Sequence, residues 1–263
     1  MALTLGRGRT TRAAACLLAA FACSAAVSDD AKNTCQADAM IVFDASGSMG
    51  TTDYALKVPR IARLKSSLFH VVPEVAPVRR LGLIVYGEGA YDDCSSIRLH
   101  MRPTADAGDQ LLGIVETINP RGRTPLTESV RQAAEVLDYT RQQAVVVLVT
   151  DGEETCGGDP CALGAMLEQA GKDVTVHVIG YREGNAEYFR ARCIADATGG
   201  QYFSVSTEDQ LIEALRKTLG CPFLTRRTLP GAAARTAALC RPDEMAASCR
   251  APRDARRTTP LRN

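Results

Sequence analysis

Met40-Ile41-Val42-Phe43-Asp44-Ala45-Ser46-Gly47-Ser48-Met49-Gly50 is an apolar run that ends on a carboxylate and then a glycine-containing turn. A continuous apolar run of this length suits a strand covered on both faces, as in a parallel sheet. Asp44 is therefore expected where the strand leaves the sheet. Ser46 and Ser48 lie two positions apart in a turn that Gly47 and Gly50 make permissive, so both hydroxyls can face one point while the turn's N–H groups face the same anionic cluster. A second run, Ala144 to Val149, ends in the same way at Thr150-Asp151-Gly152. Between the two, Thr124 precedes Pro125, whose fixed φ can open a helix at its first turn. That leaves the Thr124 hydroxyl at the helix mouth.

Open α/β sheets bind ligands beyond the carboxyl ends of their strands, so the three segments can meet at one edge. Asp44, Ser46, Ser48, Thr124 and Asp151 together offer two carboxylates and three hydroxyls, with no His or Cys. Such an all-oxygen set suits a hard divalent cation, Mg²⁺ or Mn²⁺ before Zn²⁺, one per chain. Other chemistries fit less well. A haloacid-type phosphatase needs a second carboxylate where this chain has Ser46, and Gly47-Ser48-Met49-Gly50 is not the G-x-S-x-G elbow of hydrolases.

D-x-S-x-S after the first strand, Thr-Pro-Leu opening a later helix and T-D-G after a central strand resemble the von Willebrand factor type A domain with its metal-ion-dependent adhesion site. The resemblance covers about Cys35 to Cys221, and Asp44, Ser46, Ser48, Thr124 and Asp151 each match a ligand position of the family. The segment from Asp151 to Cys161 resembles a bacterial, exported branch. The resemblance implies a doubly wound α/β fold and a site in which Ser46, Ser48 and Thr124 ligate the ion directly, while Asp44 and Asp151 do so directly or through water. It also implies that a partner protein's carboxylate completes the ion, and that a bridge from Cys35 to Cys221 can join the two ends of the domain.

Periodicity gives the same fold class, a mostly parallel, doubly wound sheet flanked by helices. Strands are expected at Leu81 to Tyr86, Val145 to Val149, Val174 to Ile179 and Gln201 to Val205, with a short edge strand at Ser95 to His100. A helix is read from the spacing of Leu56, Ile61, Leu64, Leu68 and Val71, a helical turn at Leu112 to Ile118, and a helix behind Thr124 through Leu137. Further helices are expected around Leu163 to Leu167, over Ala186 to Ala197, and over Asp209 to Leu219 as the closing element. From Pro222 to Asn263 the chain is rich in Ala, Arg, Pro and Thr without a sustained period, which reads as a flexible tail. Cys240 and Cys249 could close a small loop within it. His70, His100 and His177 fall on separate elements and read as ordinary surface or core residues.

The amino terminus carries Arg7, Arg9 and Arg12, an uncharged stretch from Ala13 to Val27, then Asp29-Asp30. This is the pattern of a secretory signal peptide over residues 1–26, with cleavage before Val27. Ala20-Phe21-Ala22-Cys23 is a weaker alternative, a lipoprotein-type site that would place Cys23 on a membrane. A secreted or periplasmic location follows. Eight of the ten cysteines lie beyond the signal region, an even number that reads as disulfides in an exported chain. A bridge between Cys156 and Cys161 is expected, because Gly157, Gly158 and Pro160 let the chain turn tightly, with Cys94 or Cys193 as competing partners.

The formal charge of +1 conceals an asymmetry: three Arg in residues 1–26 and a net +6 over residues 222–263 leave −8 on residues 27–221. An acidic body suits a cation site and argues against nucleic acid as partner. The expected function is a binding module for a protein ligand that presents an acidic residue, and not an enzyme, because no general base stands beside the ion except its own ligands and Glu153 or Glu154. The alternative is a metal-dependent enzyme or a chelatase-like accessory subunit, though no P-loop pattern is present.

Overall fold

The computed structural model describes residues 37–52, 57–181 and 190–221. Six strands form one sheet: β1 (Asp38–Asp44), β2 (Leu81–Tyr86), β3 (Ile97–Thr104), β4 (Gln143–Thr150), β5 (Asp173–Tyr181) and β6 (Tyr202–Val205). Their order is β3-β2-β1-β4-β5-β6, and all neighbours are parallel except β2 and β3. The doubly wound architecture expected from the sequence is the one observed.

Helices cover both faces, which explains why the central strands carry apolar residues without alternation. Ala39, Ile41 and Phe43 of β1 pack on one side with α1 (Arg60–Val75), α2 (Gly108–Thr117) and α6 (Glu208–Leu219). Met40 and Val42 pack on the other with α3 (Leu126–Val136), α4 (Pro160–Ala170) and α5 (Arg192–Ala197). In α1 the residues Ile61, Leu64, Leu68, Val71, Val72 and Val75 form a buried stripe at helical spacing.

Three sequence readings shift. The edge strand runs over Ile97–Thr104, longer than expected and antiparallel to β2. An edge can hold Pro103, which has no N–H to give a neighbour. The turn read at Leu112 to Ile118 is a ten-residue helix, α2, with Leu111, Leu112 and Val115 buried and the acidic Asp109 in its first turn. Of the helix expected from Leu56, which itself lies outside the described residues, the described part begins at Arg60, after Pro59. Of the helix read over Ala186 to Ala197, Arg192–Ala197 is helical and residues 182–189 lie outside the described part, as do the signal segment and the tail.

The strand order fixes where a site can form. The chain leaves β1 toward β2 on one side and returns as β4 on the other, so the carboxyl ends of β1 and β4 flank the switch point of the sheet. Phe43 is in register with Val149, which sets Asp44 opposite Thr150.

Candidate metal-ion site

Asp44, the last residue of β1, is fully buried, and both of its oxygens accept hydrogen bonds. The Ser46 N–H donates to Oδ1 at 2.7 Å and the Thr150 hydroxyl to Oδ2 at 2.5 Å. Burial foremost, and the neighbouring Asp151 charge second, push the Asp44 carboxyl up to about 6. Its in-register neighbour on β2, Tyr86, is also fully buried, and burial together with the Asp44 charge drives its phenol well above the usual range. The fold therefore holds a carboxylate in dry surroundings that a cation would relieve.

The serines build the next layer. Ser46 precedes a single 3₁₀ turn over Gly47–Gly50, and its hydroxyl lies 3.0 Å from that of Ser48. The Ser48 hydroxyl donates to Asp151 Oδ1 at 2.6 Å. A chain of oxygens thus runs from Ser46 through Ser48 to Asp151. Thr124 closes the group: a Cβ placed on Gly152 would sit 3.6 Å from Ser48 Oγ and 3.7 Å from Thr124 Oγ1. All five residues read from the sequence meet at one end of the sheet. Ser46, Thr124, Asp44 and Asp151 are buried, and Ser48 is exposed.

The surrounding loops brace this arrangement through the backbone. Gly47 N–H donates to Gly122 O at 2.9 Å, and Gly122 N–H donates to Gly87 O at 2.7 Å. Gly87 has φ +83°, and a side chain there would come within 2.6 Å of Ser46 N, so this position requires glycine. Thr124 is held on the other side by Thr155, whose hydroxyl accepts from Thr124 N at 2.8 Å and whose N–H donates to Thr124 O at 3.1 Å. Glu154 accepts from the N–H groups of Thr127 and Cys156 at 2.8 and 2.6 Å, a structural task for one of the two acids considered as a base.

Two participants escaped the sequence reading. Thr150 orients Asp44, and its place before the T-D-G aspartate was a usable signal. Arg60, at the start of α1, donates to Asp151 Oδ2 at 2.6 Å, with the Asp151 side chain fully buried and that of Arg60 21% exposed. No local pattern marks Arg60, because its role depends on where α1 docks.

The disulfide expected between Cys156 and Cys161 is not formed. Cys94 bonds Cys156 with Cα atoms 5.6 Å apart, and Cys161 bonds Cys193 at 4.8 Å. Asp159 caps α4 by accepting from the N–H groups of Cys161 and Ala162, and Pro160 occupies the first turn. That places Cys161 on a helix facing α5, where Gly164 allows a close approach to Cys193 O. Cys156 stays in the loop beside the 87–96 segment. Cys221, buried after α6, is disulfide-bonded too, whereas its expected partner Cys35 lies outside the described residues, as do Cys240 and Cys249. Bonds of this kind belong to chains that mature in an oxidising compartment outside the cytosol. Among the described residues no helix is long and apolar enough to cross a membrane.

The histidines are committed elsewhere. His70 Nδ1 lies 2.8 Å from Ser66 O, His100 Nε2 lies 2.8 Å from Glu88 Oε2, and His177 Nδ1 accepts from Gln201 N at 3.0 Å.

Comparison with known proteins agrees with this fold. A family model for the von Willebrand factor type A domain matches residues 39–154. The chain is also 32% identical over 188 residues to the uncharacterized protein YwmC of Bacillus subtilis, covering 65% of this chain and 78% of that one. The chain belongs to the von Willebrand factor type A family. Its fold is similar to that of an aerotolerance-related membrane protein from Bacteroides fragilis, with TM-score 0.53 at 21% identity over 70% of this chain and 98% of the other. The pilus adhesin SpaC from Lactobacillus rhamnosus GG is similar as well, with TM-score 0.51 at 13% identity over 70% of this chain and 30% of the adhesin. In this type A domain the matched segment ends at Glu154, so the family model spans all five candidate ligands.

Proposed function

We propose that this type A domain is an exported protein-binding module for adhesion or assembly whose grip depends on one Mg²⁺ or Mn²⁺ per chain. The observation that carries the reading is the convergence of Ser48 Oγ and Thr124 Oγ1 about Gly152, next to the Ser46–Ser48–Asp151 chain of oxygens and the buried Asp44. The donor set is hard and all-oxygen, which fits these ions. Ser46, Ser48 and Thr124 would hold the ion, with Asp151 beside them and Asp44 orienting the set through Ser46 N–H and Thr150. A bound ion supplies a Lewis-acidic point for a carboxylate from a partner protein.

The residues around the site serve to shape it and not to move protons. Glu154 is occupied by backbone N–H groups, and no His lies within the cluster. This favours binding over catalysis. A pilus adhesin with the same fold is consistent with such a role.

The test is calorimetric titration of the full chain with Mn²⁺, comparing wild type with Asp44→Ala/Asp151→Ala, followed by capture from an envelope extract with and without EDTA. Saturable one-site binding lost in the variant, with capture restored by Mg²⁺ after EDTA, is expected. Undiminished Mn²⁺ binding in the double variant overturns the site.

A further inference from the structure

A cavity lies at the opposite end of the sheet from Asp44 and Asp151. It is a recess of about 350 Å³, open to solvent on one side, between the amino-terminal halves of β4 and β5 and the carboxyl end of α6. Arg79, Val145, Thr175, His177, Arg216 and Lys217 line it, with Cys221 at one side. None of the described lining residues is acidic. A space of this size is at the lower end of small-molecule sites.

Arg79, in the turn after α1, is the unusual member. It is 8% exposed, and its buried Nε–H has no hydrogen-bond partner among the described residues. A buried donor left unpaired is costly, and more so on a charged group. Burial accordingly lowers the Arg79 pKa, against which the Asp38 charge works in the opposite sense. Asp38 itself reaches Arg80 at 3.6 Å, the ion pair it forms among the described residues. The other cations of the cavity are already matched, Arg216 by Glu74 at 2.7 Å and Lys217 by Glu213 at 3.4 Å. Among the described residues Arg79 keeps a buried Nε–H without an acceptor.

His177 adds a second donor. Burial first and the Arg79 charge second hold its imidazole down at about 4, so it is neutral at ordinary pH. Since Nδ1 accepts from the Gln201 N–H, the ring proton resides on Nε2. A guanidinium with a neutral imidazole and the Thr175 hydroxyl recognises oxyanions, for which guanidinium is the preferred side chain.

We propose that this cavity binds a small oxyanion, a carboxylate or phosphate group, with Arg79 as its buried donor. The site is separate from the cation cluster by the full length of β4, since Val145 stands near its start and Thr150 at its end. A ligand there would tie the turn after α1 to the carboxyl end of α6.

Titration of the full chain, stripped of divalent ions with EDTA and then desalted into a buffer free of carboxylate and phosphate, with inorganic phosphate in one arm and citrate in the other tests the proposal and keeps any anion bound through a divalent ion out of the readout. Saturable one-site binding is expected in at least one arm, weakened at least tenfold by Arg79→Met. The arm that responds assigns phosphate or carboxylate. Because Arg79→Met could fail to fold, the Arg79 Nε–H resonance of the wild-type protein is followed by ¹H–¹⁵N correlation spectra in the same titrations, and it should shift in step with saturation. No binding of either anion at about 10 mM, or binding that leaves that resonance and the Arg79→Met affinity unchanged, overturns the assignment.

Discussion

Replacing Asp44 by Asn should make the cation-free protein more stable at neutral pH while abolishing Mn²⁺ binding. Asp44 is fully buried, and burial with the Asp151 charge raises its carboxyl from 3.8 to about 6. The native state therefore binds the proton more tightly than the unfolded chain does. Stability contributed by this group is fully present below about pH 4 and is lost as pH rises from about 4 to about 6. A difference of about 2 pH units corresponds to about 3 kcal/mol. The Asp44→Asn variant would avoid that loss. The new side-chain carbonyl can still accept from Ser46 N–H, and the new amide can donate to the Thr150 hydroxyl, which can turn to Gly152 O at 3.4 Å. Imperfect rearrangement takes back about 1 kcal/mol, leaving about 2 kcal/mol in favour of the variant at neutral pH. The assay is urea unfolding of wild type and Asp44→Asn in EDTA at several values between about pH 3.5 and about pH 7.5, with the difference between the two proteins as the readout. That difference cancels titrations shared by both proteins, such as that of Glu74, which Arg216 holds low. The variant should be about 1 kcal/mol less stable than wild type near the acid end of that range, the two curves should cross as pH rises, and the variant should lead by about 2 kcal/mol at about pH 6.5, while Mg²⁺ should stabilise only the wild type. A variant less stable than wild type at neutral pH in EDTA, or a difference that does not change with pH, would refute the argument that Asp44 is held as an uncompensated buried charge.

Arg60→Met should raise Mn²⁺ affinity about tenfold, ~1.4 kcal/mol, because it removes a cation from Asp151; this lies between the worth of exposed and buried pairs, and weaker Mn²⁺ binding would show that Arg60 instead positions Asp151. Gly87→Ala should cost roughly 2–4 kcal/mol in thermal unfolding and weaken Mn²⁺ binding, since a methyl there meets Ser46 N at 2.6 Å in a positive-φ backbone; an unchanged melting temperature would contradict the brace. Cys94→Ser/Cys156→Ser, which opens a loop with a separation of 62 residues, should lower stability by up to about 4 kcal/mol by chain entropy, and peptide mapping should leave Cys161–Cys193 intact.

The geometry links stability and function through one pair of acids. Asp44 is kept from solvent by β1, β2 and β4, so its charge is felt by its close neighbours Ser46, Thr150, Tyr86 and Asp151. Asp151 is neutralised in part by Arg60. A site with two carboxylates and one guanidinium is weaker for cations than its ligands alone suggest. Under the proposed function, a cation held there would keep more of its charge and be better suited to capture a further carboxylate.

The sequence alone determined the sheet and the candidate ligands. Apolar runs without alternation can only be buried on both faces, so Met40 to Phe43 and Ala144 to Val149 announced central parallel strands. The residues after such a run must stand at the carboxyl end of the sheet, which is why Asp44, Ser46, Ser48 and Asp151 could be assigned from local pattern, and Thr124 from its place before Pro125 at a helix mouth. Three things waited for the tertiary structure. The pairing of Cys156 with Cys94 and of Cys161 with Cys193 depends on a helix capped by Asp159 and packed on α5, and a spacing of four residues carries no record of that packing. Arg60 meets Asp151 across a separation of 91 residues because α1 docks beside β4's end. The cavity around Arg79 is assembled from a turn, two strands and the closing helix. Local periodicity records whether a residue is inside or outside, whereas contacts between distant segments are decided by how helices dock on the sheet.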